Sequence, residues 1–154
     1  MNAQANPVMD QSAIQSILPH RYPFLLLDRI TEFEPGKRIA GVKTFTADEH
    51  FAAGHFPGVP IVPSAILIEM TTQLGAVLVL ERPEMAGKIA VILQIPEARI
   101  KAPVEPGDRL LAEAEVLKWR ENLGELRGRI YRGAELVAEG RMRFAAAPAT
   151  ELLK

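Results

Sequence analysis

The sequence predicts an α+β fold in which one long apolar helix is wrapped by an antiparallel sheet. Three observations carry that expectation. Ser64–Leu80 reads as a helix apolar nearly all round, with Ala65, Ile66, Leu67, Ile68, Met70, Leu74, Ala76, Val77 and Leu78 on its sides. A helix of that kind must be surrounded rather than laid on a surface. The segments after it read as about four strands joined by short turns, which implies antiparallel pairing. No second helical layer is present to cover the helix, so the sheet must curl around it.

The elements follow in order. Residues 11–18 form a short helix with Ile14, Ile17 and Leu18 on one side, ended by Pro19. Residues 24–33 read as a strand, Pro35-Gly36 as a turn and residues 38–45 as a second strand. Residues 47–63 are irregular, because Pro57, Pro60 and Pro63 exclude a long helix or a central strand there. Pro63 and Ser64 suit the start of the long helix, which ends before Pro83. Residues 88–101 form a strand with an irregularity at Pro96, and Pro106-Gly107-Asp108 makes a turn. Leu110, Ala112, Ala114 and Val116 alternate with more polar neighbours as a strand does. Residues 122–124 form the next turn, and residues 126–132 and 135–144 a hairpin around Gly133-Ala134. The organisation is a flexible N-terminus over residues 1–10, a single domain over 11–146 and a tail over 147–154.

Composition narrows the function. The 154 residues are 48% hydrophobic and 24% charged, which is globular. Eighteen Lys and Arg against 19 Asp and Glu leave a net charge of −1, so no bulk electrostatic footprint for nucleic acid exists. With no cysteine, the chain has no disulfide scaffold, thiolate metal site or cysteine nucleophile. Residues 1–10 lack the pattern of a secretory signal, and a cytoplasmic protein is expected. Residues 61–80 could span a bilayer by length. Pro63, Glu69, Thr71, Thr72 and Gln73 argue against it.

Two features carry chemistry. Glu69 is the lone charge of the apolar helix, and an isolated ionised carboxylate there is costly. Gln73 lies one turn on along the same face. Glu69 is either a structural partner of Gln73, at a core edge or a subunit contact, or a carboxyl kept protonated to act as an acid. The second feature is the loop Gly54-His55-Phe56-Pro57-Gly58-Val59-Pro60, stiff enough to hold an imidazole in one orientation. His55 is either a loop histidine bonded to backbone or a general base. His20, between Pro19 and Arg21, reads as structural, and His50 lies in a polar turn. Free N–H groups where the long helix begins, near Ser64, favour developing negative charge. Base, acid and oxyanion donors together suit proton abstraction α to a carbonyl with loss of a β-leaving group.

The run His55-Phe56-Pro57-Gly58-Val59-Pro60-Ile61-Val62-Pro63, followed by Glu69 and Gln73, resembles the signature of the FabZ-type 3-hydroxyacyl-[acyl carrier protein] dehydratases. Leu18-Pro19-His20-Arg21-Tyr22-Pro23-Phe24-Leu25-Leu26-Leu27-Asp28-Arg29 resembles the family's N-terminal signature, and Pro103-Val104-Glu105-Pro106-Gly107-Asp108 its later turn. The resemblance covers roughly residues 12–146. It implies a hot-dog fold, homodimers often assembled as trimers of dimers, and a site at the dimer interface with histidine from one subunit and glutamate from the other. It implies dehydration of a 3-hydroxyacyl chain, carried on the phosphopantetheine arm of acyl carrier protein, to a trans-2-enoyl thioester without metal or dissociable cofactor. His55 and Glu69 would be catalytic, and Phe56, Gly58, Ser64 and Gln73 would bind or border substrate.

Departures from the family pattern mark a divergent member. Ser64 replaces a glycine at the oxyanion position, Val62 a methionine, Met70-Thr71-Thr72 an Ala-Met-Ala-like stretch, Gln94-Ile95-Pro96 a Gly-Ile-Asp segment, and Ala102 a basic residue. Acidic carrier protein would favour a basic rim, with Arg99, Lys101, Arg127, Arg129, Arg132, Arg141 and Arg143 as candidates against the plainer reading of a solvated face. A hot-dog acyl thioesterase and a non-catalytic acyl-binding paralogue are the competing functions.

Overall fold

A computed structural model describes residues 8–152. The chain forms α1 (Gln11–Ile17), β1 (Arg29–Glu34), β2 (Arg38–Thr44), α2 (Ser64–Leu80), a 3₁₀ turn (Pro83–Met85), β3 (Lys88–Ile100), β4 (Arg109–Arg120), β5 (Leu123–Arg132), β6 (Glu135–Pro148) and α3 (Ala149–Leu152). One six-stranded antiparallel sheet runs in the order β1-β2-β4-β5-β6-β3. It curls around α2, which packs on β2 to β6. This is the expected α+β arrangement, with four strands after the helix.

Helix α2 has the expected bounds. Its C-terminal part is buried without interruption from Gln73 to Leu80. Its first turns are only partly covered: Ser64 and Ala65 are exposed, and Ile66, Ile68 and Glu69 are half-buried. Among the described residues no helix is long and apolar enough to cross a membrane.

The segment expected as strand 24–33 is shorter, because its first part bonds to a side chain instead of a neighbouring strand. Leu26 N–H donates to Gln73 Oε1 at 2.8 Å, and Phe24 C=O accepts from Gln73 Nε2 at 2.7 Å. Regular pairing starts at Arg29, opposite Val42. The expected turn at 122–124 lies slightly earlier. Glu121 adopts φ 56°, and β5 begins at Leu123. Gly124 is a strand residue that allows close approach, since a Cβ there would stand 2.9 Å from Lys118 O and collide with the Phe144 ring.

Strand β3 is irregular around Pro96, with register shifts between Ile92 and Gln94 and between Gln94 and Glu97. Proline cannot complete a ladder, and β3 tolerates it as an edge strand. Of the expected flexible N-terminus, residues 1–7 lie outside the described residues. Val8 and Met9 bond to Ile30 backbone, and Asp10 caps α1 by accepting from Ala13 N–H at 2.9 Å. At the other end Ala147 and Pro148 continue β6 opposite Ile89 and Lys88, and residues 153–154 lie outside the described residues.

Strand β5 meets α2 at Gly128. A Cβ at Gly128 would lie 2.6 Å from Thr71 Cβ and 2.8 Å from its Oγ1, so helix and strand would have to separate. Gly128→Ala is expected to cost about 1–3 kcal/mol and to lower the melting temperature by several degrees in thermal denaturation. Gly54→Ala, where a Cβ meets nothing within 4 Å, serves as the control.

Candidate active site

The loop before α2 is held at both ends. Phe45, fully buried, packs edge-on against Phe51 with ring centroids 5.7 Å apart. Phe45 C=O accepts from Gly107 N–H at 2.7 Å. At the far end Val62 N–H donates to Val104 C=O at 2.7 Å. Between them Phe56 and Val59 exchange backbone hydrogen bonds of 2.9 and 2.8 Å around Pro57-Gly58. Gly58 sits at φ 77°, a conformation that glycine adopts without a Cβ clash. The His55–Phe56 peptide is cis, and the two rings stack with centroids 4.3 Å apart.

This turn aims the imidazole. His55 Nδ1 lies 3.1 Å from Ile61 C=O, which can only accept. Nδ1 therefore carries a proton, so that in the neutral ring Nε2 is the nitrogen with the lone pair, the tautomer a base requires. His55 borders a groove of about 290 Å³ together with Ile61, Ser64, Leu67, Ile100 and Ala102. The first turn of α2 opens on the same groove. Ile66 and Leu67 N–H both turn back to Pro63 C=O, at 2.9 and 3.3 Å. The N–H groups of Ser64 and Ala65 have no backbone acceptor among the described residues, and they supply the donors expected at a helix start.

Glu69 lies one and a half turns further on. Its Oε1 accepts from Gln73 Nε2 at 3.1 Å. Gln73 is fully buried and also holds Phe24 and Leu26, so it ties the carboxylate to the segment before β1. His20 from that segment places Nε2 3.7 Å from Glu69 Oε1. Burial pushes the His20 imidazole below its ordinary pKa, and the Glu69 charge opposes the shift without cancelling it.

The expected residues thus fall into two groups. His55 and Ser64 line the groove, whereas Phe56 and Gly58 are exposed on the loop that carries His55 and do not line it. Glu69 and Gln73 form the second group, with His20, which sequence reasoning took as structural. No hydrogen bond or ion pair joins His55 to Glu69 among the described residues of one chain. His50 is exposed beside Tyr22, 6.1 Å between rings.

The basic rim is internally paired. Arg127 and Arg129 meet Glu115, Arg132 meets Asp108 and Glu135, Arg141 and Arg143 meet Glu125, Arg99 meets Glu97, and Lys101 meets Glu139. The plainer reading, a solvated face of paired charges, fits this arrangement. Of these cations only Lys101 borders the groove.

An imidazole beside a helix N-terminus, with a carboxylate on that helix, is an arrangement that can serve acid–base chemistry. Comparison with known proteins places the chain in a family. A family model described as a FabA-like domain matches residues 18–141. The 3-hydroxyacyl-[acyl-carrier-protein] dehydratase FabZ of Desulforamulus reducens is 51% identical over 138 residues, 90% of this chain and 97% of the relative. The protein of the same name from Pelotomaculum thermopropionicum is 46% identical over 138 residues, 90% of this chain and 99% of the relative. Among solved structures, the dehydratase heterocomplex ApeI:P from Xenorhabdus doucetiae shares the fold with a TM-score of 0.78 at 21% identity, covering 91% of this chain and 94% of that one. A thioesterase superfamily member from Thermus thermophilus has a TM-score of 0.63 at 20% identity, over 79% of this chain and 89% of its own. The chain belongs to the FabZ-type 3-hydroxyacyl-[acyl-carrier-protein] dehydratases of the FabA-like family, and it is a hydro-lyase with the hot-dog fold.

Gln73 is the side chain on which the second group depends. Gln73→Leu keeps the volume but strands Leu26 N–H and Phe24 C=O, each at a cost of about 1–3 kcal/mol when left unpaired. The variant is expected to melt several degrees lower and to lose protection of the Leu26 amide in hydrogen exchange.

Proposed function

We propose that His55 and Glu69, drawn from two copies of the chain, dehydrate a 3-hydroxyacyl group carried on acyl carrier protein. His55 Nε2 removes the proton at C2. The C2–C3 double bond forms as the C3–O bond breaks, and Glu69 protonates the departing hydroxyl, which leaves as water. The proton gained by His55 returns to Glu69 through solvent before the next turnover. A backbone N–H at the start of α2 donates to the thioester oxygen while negative charge builds there. Phe56 and the apolar groove take the acyl chain, Gly58 lets the loop approach it, and Gln73 orients Glu69.

The observation that carries this reading is the hydrogen bond of the His55 ring. Donation from Nδ1 to Ile61 C=O makes Nε2 the free nitrogen of the neutral imidazole, in a groove that the first turn of α2 also borders. The absence of a hydrogen bond or ion pair between His55 and Glu69 among the described residues of one chain fits a homodimer. Edge strand β3 supports it too, because Leu93, Ile95 and Ile100 are 60%, 45% and 41% exposed on it. A free edge with exposed apolar side chains is a template for pairing with another chain. Assembly as a trimer of dimers and a cytoplasmic location complete the proposal. The thioesterase and acyl-binding readings are less supported, since neither uses the pairing of His55 with Glu69.

A 3-hydroxyacyl carrier thioester is expected to yield conjugated enoyl absorbance without release of free thiol. Thiol release would mark hydrolysis, and ligand binding without turnover would mark an acyl-binding protein. His55→Ala and Glu69→Gln are each expected to lower kcat by about 10²–10⁴-fold. Retention of wild-type turnover by either variant would remove that residue from the mechanism.

A further inference from the structure

His20 has an unusual environment. Among the described residues, its Nδ1 is the one buried side-chain nitrogen or oxygen with no hydrogen-bond partner. A proton on Nδ1 would be a buried, unpaired donor, which is costly. The proton therefore belongs on Nε2, the nitrogen that faces Glu69 Oε1 at 3.7 Å. Burial resists a second proton on the ring, so His20 stays neutral and offers Glu69 a donor rather than an exchangeable acid.

The ring is also held in place. Arg21 donates to Leu18 C=O at 2.8 Å, to His20 C=O at 2.7 Å and to Gln15 C=O at 3.0 Å, which fixes the backbone around His20. Phe24 stacks on the imidazole with centroids 6.2 Å apart, and Gln73 bonds Phe24 to α2. Gln73 Nε2 and His20 Nε2 approach the same oxygen of Glu69. Oε2 has no partner among the described residues.

We propose that His20 is a positioning residue for Glu69: its Nε2–H, with Gln73, holds Oε1 and so presents Oε2 to the departing hydroxyl. The 3.7 Å separation is longer than a hydrogen bond, and it shortens when substrate and the second chain cover the carboxylate, as catalytic hydrogen bonds do on complex formation. This inference rests on the reading of Glu69 as the acid.

The test compares three variants in the assembled enzyme, with a 3-hydroxyacyl carrier thioester as substrate. Glutamine can place an amide N–H where Nε2 stood, whereas asparagine mimics Nδ1. His20→Asn is expected to lower kcat about ten- to hundredfold with KM little changed, and His20→Gln to recover most of that loss. Equal losses in both variants, an effect confined to KM, or wild-type turnover by His20→Asn would overturn the proposal. Should His20→Asn not fold, ring ¹⁵N shifts of His20 in the wild-type protein decide. Protonation at Nε2 supports the assignment, and protonation at Nδ1 overturns it. Glu69→Gln separates the two claims. If it is inactive while His20→Asn is fully active, only the positioning role fails. If it is fully active, the acid assignment fails and the positioning role with it.

Discussion

Burying α2 is the constraint on which the rest of the structure depends. Leu67, Met70, Leu74, Val77, Leu78 and Val79 point in several directions around the helix, and each is at most 1% exposed. Each such side chain gains about 1.5–3 kcal/mol on leaving water. No single flat surface can cover them all, so the sheet bends around the helix and places β2 to β6 against it. Contacts as close as Gly128 against Thr71 show how tightly that wrap is drawn.

The wrap closes over the C-terminal part of α2 and stays open over its first turns. In the proposed mechanism that open part carries the chemistry. The helix start has N–H groups without a backbone acceptor among the described residues, the preceding loop brings His55 to the same groove, and Glu69 emerges on a side that the same chain only half covers. In the proposed dimer a second chain covers both the open flank and the free edge of β3. The proposed acid and base would then each be anchored in the surroundings of its own chain.

The parts of the fold governed by local pattern were legible in the sequence. Apolar density and Pro63 mark α2, and Pro96 marks the break in β3. The parts governed by distant partners were not. Residues 24–26 look like strand, but Gln73, 47 and 49 residues away, takes the hydrogen bonds of Leu26 and Phe24. Gly124 looks like a turn residue until Phe144 is seen beside it. In the site, the stiff histidine loop and the lone carboxylate were visible from composition and spacing. His20 was not, because its proximity to Glu69 exists only after the N-terminal segment docks on α2. The arginine-rich strands looked like a basic rim because their carboxylate partners lie on neighbouring strands rather than nearby in sequence.

The central claim is that each site is completed by two chains. Subunit complementation tests it most directly: inactive His55→Ala and Glu69→Gln chains are mixed, unfolded and refolded together, and assayed for enoyl formation. With His55 and Glu69 on opposite sides of a two-fold interface, half of the sites in each mixed dimer are intact, and random mixing restores about a quarter of wild-type turnover. Mixed dimers that form but show no recovered turnover would contradict the account.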